Sequence, residues 1–93
     1  MPAENSGFFL DLSRRIADAI NAHFKDGQLL EVKNIRKIMD VKGSDRSAVI
    51  FFARVLGVFD RMGFLKNGAG RMPKRYTKVR DIAFTPEELA KNV

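Results

Sequence analysis

Apolar residues in the first third of the chain recur with helical spacing. Successive members of the series are three or four positions apart: Phe9, Leu12, Ile16, Ile20 and Phe24. This spacing places them on one side of a helix. Gly27 follows the series and favours a helix end there. We therefore predict a first helix that begins near Ser6, with residues 1–7 forming a flexible N-terminal segment.

The next apolar stretch is shorter. Residues 29–32 are too few and too closely bounded for a helix, and they predict a single strand. A second helix is expected over residues 33–40, with Ile35, Ile38 and Met39 on its buried side. Residues 41–44 then predict a tight turn in which Gly43 can take a positive φ. Ser44 or Asp45 can cap the helix that follows.

The third predicted helix runs from about Asp45 to Met62 and stops at Gly63. Two apolar stripes lie along it. The principal core stripe comprises Val49, Phe52, Ala53, Leu56 and Phe59, and the second comprises Phe51, Val55 and Val58. The outward side then holds Arg46, Ser47, Ile50, Arg54 and Arg61. Two apolar stripes on one helix indicate that neighbouring elements cover it on two sides.

The C-terminal third has the pattern of a hairpin followed by a helix. Residues 64–80 contain two β-favouring stretches separated by a glycine-containing segment, which predicts a β-hairpin with a long tip. Thr85 is a capping residue, Pro86 suits the first helical position, and Glu88 can complete a capping box. We expect a short C-terminal helix after Thr85.

This order of helix, strand, helix, turn, helix and hairpin resembles the winged helix-turn-helix family. The resemblance is carried by the turn at residues 41–44, the helix end at residues 59–65 and the strand at residues 75–77. It implies a mostly helical α+β fold, with a three-helix core and a β-hairpin wing. We predict a single domain over residues 1–93, with its core at about residues 8–80 and a tail at residues 81–93.

Positive charge is concentrated in the middle of the chain. The 93 residues carry a formal net charge of +6. Residues 33–80 hold thirteen Lys and Arg against three Asp, a net charge of +10, whereas residues 1–32 and residues 81–93 are each at −2. A phosphate-binding face explains acidic ends around a basic centre better than uniform solubilisation does.

In the winged helix-turn-helix family the third helix enters the major groove of DNA by its N-terminal part. Arg46 can bond guanine, Ser47 a base or phosphate, and Ile50 a thymine methyl. The second helix and the wing supply cations for the phosphate backbone or the minor groove. The predicted DNA-contact residues are Lys33, Asn34, Arg36, Lys37, Lys42, Arg46, Ser47, Ile50, Arg54, Lys66, Arg71, Lys74 and Arg75.

Several of these residues also have structural explanations. Asp45 and Ser44 can serve only as caps, Arg46 can be simply solvated, and Lys or Arg on a hairpin edge also prevents aggregation. One apolar set can form a homodimer surface or hold the C-terminal tail against its own domain: Phe8, Phe51, Val55, Val58, Ile82 and Phe84. Arg14 and Arg15 lie near acidic residues at helical spacing and are expected to form surface pairs.

The expected function is sequence-specific binding of double-stranded DNA by a transcription regulator. With a single His, no Cys and scattered acids, we expect no enzyme, metal or cofactor, and no small-molecule pocket can be inferred from a core of this size. No segment has the pattern of a signal peptide or membrane span, so a cytoplasmic location is expected. The alternatives are an RNA- or ribosome-associated winged helix and a winged helix that binds an acidic protein.

Overall fold

The computed structural model describes residues 3–42, 44–68 and 75–93. Within these ranges the fold is α+β, as predicted, with four helices and a three-stranded antiparallel sheet. In chain order the elements are α1 (Ala3–His23), β1 (Leu29–Glu31), α2 (Val32–Ile38), α3 (Arg46–Arg61), β2 (Leu65–Asn67), β3 (Arg75–Lys78) and α4 (Pro86–Lys91).

Helix α1 is longer than its apolar pattern predicts. It begins at Ala3, three residues before the predicted start near Ser6, so it includes residues 3–7 of the predicted flexible N-terminal segment. A start at alanine agrees with the high helix propensity of that residue. Towards its C-terminus α1 contributes the fully buried Ile16 and Ile20 to the core. The chain then turns at Gly27, which has a φ of +84°.

Helix α2 ends earlier than predicted. After Ile38, the N–H of Val41 donates to the Arg36 carbonyl at 2.8 Å and that of Asp40 to the Lys37 carbonyl at 3.1 Å. This Schellman pattern requires a left-handed residue, and Asp40 supplies it with a φ of +58°. Because the chain leaves the helix there, Ile38 is 39% exposed and the prediction that it is buried is wrong. The predicted positive φ of Gly43 lies outside the described residues.

Helix α3 has the ends that the sequence predicts. The Asp45 carboxylate accepts from the Ala48 N–H at 3.1 Å, and Gly63 ends the helix with a φ of +84°. The fully buried positions are Phe52, Val55, Leu56 and Phe59. Three of them belong to the principal predicted stripe, and Val55 belongs to the second. Ala53 is exposed, so its assignment to the core stripe is wrong.

The sheet has the strand order β1-β3-β2. Strand β3 pairs antiparallel with both neighbours, with Leu30 opposite Tyr76 and Leu65 opposite Lys78. The antiparallel pairing of β2 with β3 confirms the two strands of the predicted hairpin, and its predicted long tip lies outside the described residues. The Tyr76 ring is buried, and this burial, together with the negative charge of Asp60, raises the pKa of its hydroxyl above the ordinary 10.0.

The C-terminal residues pack on the core. Thr85 and Glu88 form the predicted capping box at the start of α4, and Leu89 is buried. The Asn21 side chain donates to the Ile82 carbonyl and accepts from its N–H, both at 2.9 Å. The Phe84 ring lies 5.7 Å from the Phe59 ring, centroid to centroid.

This packing accounts for part of the apolar set. Val55, Val58 and Ile82 are buried within the chain and so offer little area to a dimer surface. Phe8 remains 55% exposed, with its ring edge-on to Phe51 at 5.6 Å. Residues 81–93 are therefore part of the packed domain. Among the residues that the structure describes, no helix is both long and apolar enough to cross a membrane.

Candidate nucleic-acid interface

The two parts of α3 differ in burial. None of residues 46–51 is buried, whereas five of the residues from Phe52 to Phe59 are. Arg46 and Ser47 are exposed, and Ile50 is 60% exposed despite its apolar side chain. The start of α3 therefore extends beyond the core that anchors its remainder.

The exposed side chains of α3 share one face. Arg46, Ile50 and Arg54 follow one another at intervals of four, so they line up along the helix. Ser47 is offset by about 100° from Arg46 around the axis and lies at the edge of that face. One arginine thus lies one turn before the exposed Ile50, and another lies one turn after it. Such a face offers charged donors on either side of a small apolar contact.

Helix α2 and the turn after it present four exposed predicted residues: Lys33, Asn34, Lys37 and Lys42. The Lys33 ammonium lies 3.6 Å from the Glu31 carboxylate, and its side chain is 66% exposed. Arg36 differs because it is only partly exposed, and its buried Nε has no hydrogen-bond partner among the described residues. Arg36 is therefore less accessible than the four exposed residues around it.

Two carboxylates limit the positive potential near the turn. Asp40 and Asp45 are exposed and, with Lys42 and Ser44, line an open cleft of about 340 Å³ at the start of α3. The Asp45 carboxylate already accepts the Ala48 N–H. Because like charges repel, phosphates would lie beside Lys42 and away from Asp40.

The hairpin supplies fewer free cations than its composition suggests. Lys66 and Arg75 are exposed on β2 and β3, whereas Arg71 and Lys74 lie outside the described residues. Lys78 is 1% exposed, and its Nζ donates to the Phe24 carbonyl at 2.9 Å and to Asp81 at 2.5 Å. Its role is internal.

Arg80 is also engaged within the domain. Its guanidinium carbon lies 4.8 Å from the centre of the Phe64 ring, and its Nη2 donates to the Met62 carbonyl at 3.2 Å. It holds the end of α3 against the strand end of the hairpin. The described cations of the hairpin that face solvent without such contacts are Lys66 and Arg75.

A second cleft was not predicted from the sequence. It lies between α1, α3 and the C-terminal residues, and its lining comes from segments far apart in the chain: Phe9, Arg54, Gly57, Val58, Arg61 and Val93. Arg54, predicted as a DNA contact, thus lines this cleft as well. No local pattern could reveal it, because its residues are brought together only by the packing of α1 and the C-terminus on α3.

Comparison of the chain with protein-family models, with curated proteins and with solved structures gives no match. The chemistry of the interface therefore follows from its residues. Within the described ranges, no three His, Asp or Glu side chains are placed to hold a metal ion. The exposed groups are guanidinium and ammonium donors, a hydroxyl, an amide and one isoleucine, which match phosphate oxygens and base edges.

Proposed function

We propose that the chain is a winged helix-turn-helix protein that binds double-stranded DNA and regulates transcription. The observation that carries the proposal is the exposed start of α3, where Arg46, Ser47 and Ile50 extend beyond the core. An α-helix with its side chains is about 10–12 Å across, and the major groove of B-DNA is about 12 Å wide. The start of α3 therefore fits the groove while its buried remainder keeps it in place.

In this mode Arg46 bonds the O6 and N7 of a guanine, Ser47 bonds a base or phosphate, and Ile50 contacts a thymine methyl. These contacts read sequence. The two arginines that flank Ile50 orient the face toward the groove, because both are drawn to the negative potential of DNA.

Cations outside α3 position the protein without reading sequence. Lys33, Lys37 and Lys42 lie on and after α2, where they would meet one strand of phosphates. Lys66 and Arg75 lie on the hairpin, which would follow the backbone or enter the minor groove. The order β1-β3-β2 supports this arrangement, since it fixes the hairpin to the element that leads into α2.

The test is binding of the purified protein to random duplex DNA, single-stranded DNA and structured RNA over a salt series, followed by sequence selection on the preferred polymer. We expect the duplex to bind most tightly, with affinity falling steeply as salt rises, and a short motif to be enriched. A palindromic motif would indicate a homodimer. Preference for RNA, or no binding to any polymer, would contradict the proposal.

Two variants separate base reading from phosphate contact. Arg46→Ala should relax sequence preference at one position of the selected motif, at a cost of about 1–3 kcal/mol for the preferred duplex. Arg75→Ala should weaken all duplexes similarly and lower the slope of log affinity against log salt by about one. Arg15→Ala is the control, because Arg15 is exposed and lies 4.0 Å from Asp11 on α1. Equal effects of the first two changes on all duplexes would refute this division of roles.

A further inference from the structure

The cleft between α1, α3 and the C-terminal residues has the composition of a binding site. It has a volume of about 230 Å³ and is partly open to solvent, and none of the side chains that line it is acidic. Phe9, Val58 and Val93 supply apolar surface, and Arg54 and Arg61 supply two positive charges. Apolar surface beside guanidinium groups matches a ligand that has an apolar body and a negative charge.

Gly57 gives a second reason to expect a ligand. It lies in the interior of α3, where glycine is among the least favourable residues. A Cβ built at Gly57 would meet no atom within 4 Å, and its φ is not in the left-handed region. Nothing in the described chain therefore requires glycine there. A missing side chain lets an outside molecule approach the helix backbone closely, which is a common use of glycine at ligand sites.

The two arginines are placed to hold an anion over this backbone. Arg54 and Arg61 are seven residues apart on α3 and so lie on one face, two turns apart, with Gly57 between them. Arg61 Nη1 donates to the Asn92 carbonyl at 3.3 Å, which holds the side chain towards the C-terminal residues. The other guanidinium N–H groups of Arg61 remain for a second acceptor. A carboxylate can accept two such hydrogen bonds at once.

We propose that this cleft binds a compact organic carboxylate, with an aromatic or short aliphatic body on Phe9 and Val58 and its charge on Arg54 and Arg61. A cavity of about 150 Å³ in another protein holds benzene. The volume here, about 230 Å³, leaves room for a benzene-sized ring and a carboxylate. The cleft lies at the surface, which is why the small core gave no indication of it. The benzoate measurement does not require DNA binding, although Arg54 is also one of the predicted DNA contacts.

The probe is benzoate, titrated at constant ionic strength into the protein of residues 1–93 while backbone amide NMR signals are followed. Benzyl alcohol has the ring without the charge, and acetate has the charge without the ring. We expect saturable benzoate shifts centred on the amides of Phe9, Gly57 and Val58. Both control compounds should bind more weakly than benzoate by a factor on the order of ten or more. Small shifts spread over all basic surfaces, or equal binding of acetate, would overturn the proposal.

Variants locate the site. Gly57→Leu fills the cleft and should abolish the benzoate shifts, whereas Ala53→Leu makes a similar change one turn earlier outside the cleft and should leave them intact. Arg61→Ala should weaken benzoate binding on the order of ten-fold. Circular dichroism tests whether each variant is folded. If Gly57→Leu is not folded, Arg61→Ala alone tests the proposal. Unchanged benzoate binding in Arg61→Ala would overturn the proposal.

The same variants keep this proposal distinct from the DNA-binding one. Arg61 is not among the predicted DNA contacts, so loss of benzoate binding in Arg61→Ala with duplex affinity intact supports a separate ligand site. Loss of duplex affinity in Arg61→Ala, without saturable benzoate binding by the unaltered protein, would assign the cleft to phosphate contact and refute the carboxylate site. An absence of duplex binding by the unaltered protein bears only on the DNA-binding proposal.

Discussion

Gly57 within α3 and Gly63 just after it contribute differently to the stability of the fold. Gly63 ends α3 with a φ of +84°, a conformation that side chains rarely adopt, and it allows the Phe64 N–H to donate to the Phe59 carbonyl at 3.0 Å. Gly57 has no such requirement and faces open space. Gly63 stabilises the fold, and Gly57 lowers the stability of α3 relative to alanine.

Substitution of the two glycines should therefore have opposite effects. Gly57→Ala should raise the free energy of unfolding by about 0.5–1 kcal/mol, because alanine is the better helix former and its methyl group meets no neighbour. Gly63→Ala should lower it by about 1–2 kcal/mol, since a Cβ is strained at that φ. Urea unfolding followed by circular dichroism measures both. A loss of stability in Gly57→Ala would show that the glycine is needed by the fold itself.

Single residues also show where the sequence is informative. Asp45, Thr85, Glu88 and Gly63 act as predicted because a cap depends on neighbours within a few positions. The left-handed residue after α2 is Asp40, and no local rule favours aspartate over the glycine three residues later. The left-handed residue must be Asp40 because the Val41 N–H donates to the Arg36 carbonyl. Only the folded chain determines that this hydrogen bond forms.

At the scale of elements, β3 is held by the buried ammonium of Lys78 as well as by pairing, and the two carboxylates that the ammonium meets are largely exposed. The Lys78 ammonium bonds the Phe24 carbonyl and the Asp81 carboxylate and lies 3.4 Å from Asp26. It joins the end of α1, the end of β3 and the segment that leads to α4. A buried ammonium with several oxygen partners fixes these three segments in one arrangement.

Truncating Lys78 should be costly. Lys78→Ala removes a buried stem and leaves the Phe24 carbonyl without its side-chain partner, so we expect a loss of about 2–4 kcal/mol in unfolding free energy. Lys66→Ala on the neighbouring strand is the matched control and should change stability by less than about 0.5 kcal/mol. Chemical denaturation measures both. Similar effects of the two changes would mean that Lys78 is solvated like an ordinary surface lysine.

The elements were largely predictable, and the roles of their charged residues were not. Helices and the hairpin follow from apolar period and turn residues, which are local properties. Lys78 and Lys66 look alike in the sequence, and only the register of Leu65 opposite Lys78 and the position of Asp81 separate the buried ammonium from the exposed one. Likewise Ala53 is exposed although its spacing places it on the core stripe, because the apolar period of α3 does not specify the direction from which neighbouring elements pack on it.

At the scale of the whole molecule, the C-terminal segment completes the core. Ile82 and Leu89 are buried, and Phe84 packs on Phe59. A segment with this much buried apolar surface contributes to global stability in the same way as the helices before it.

Deleting residues 81–93 should therefore unfold or severely destabilise the protein. Burial of a large aliphatic side chain contributes about 1.5–3 kcal/mol, so loss of Ile82 and Leu89 alone removes about 3–6 kcal/mol. This is a large part of the unfolding free energy of a typical small domain. Thermal unfolding followed by circular dichroism checks this, with Glu87→Ala as an exposed control in the same segment. A deletion variant that unfolds at the temperature of the intact chain would show that the segment is dispensable.

The strand order has a consequence for the timing of folding during synthesis. Leu30 is paired with Tyr76, so the strand that leads into α2 finds its partner only after most of the chain has been made. Until then a nascent chain carries α1 and α2 with their apolar sides uncovered, and contacts between such distant residues form slowly. We expect the domain to complete its sheet only once residues 75–78 have been made and can pair with β1, after α1, α2 and α3 are already present.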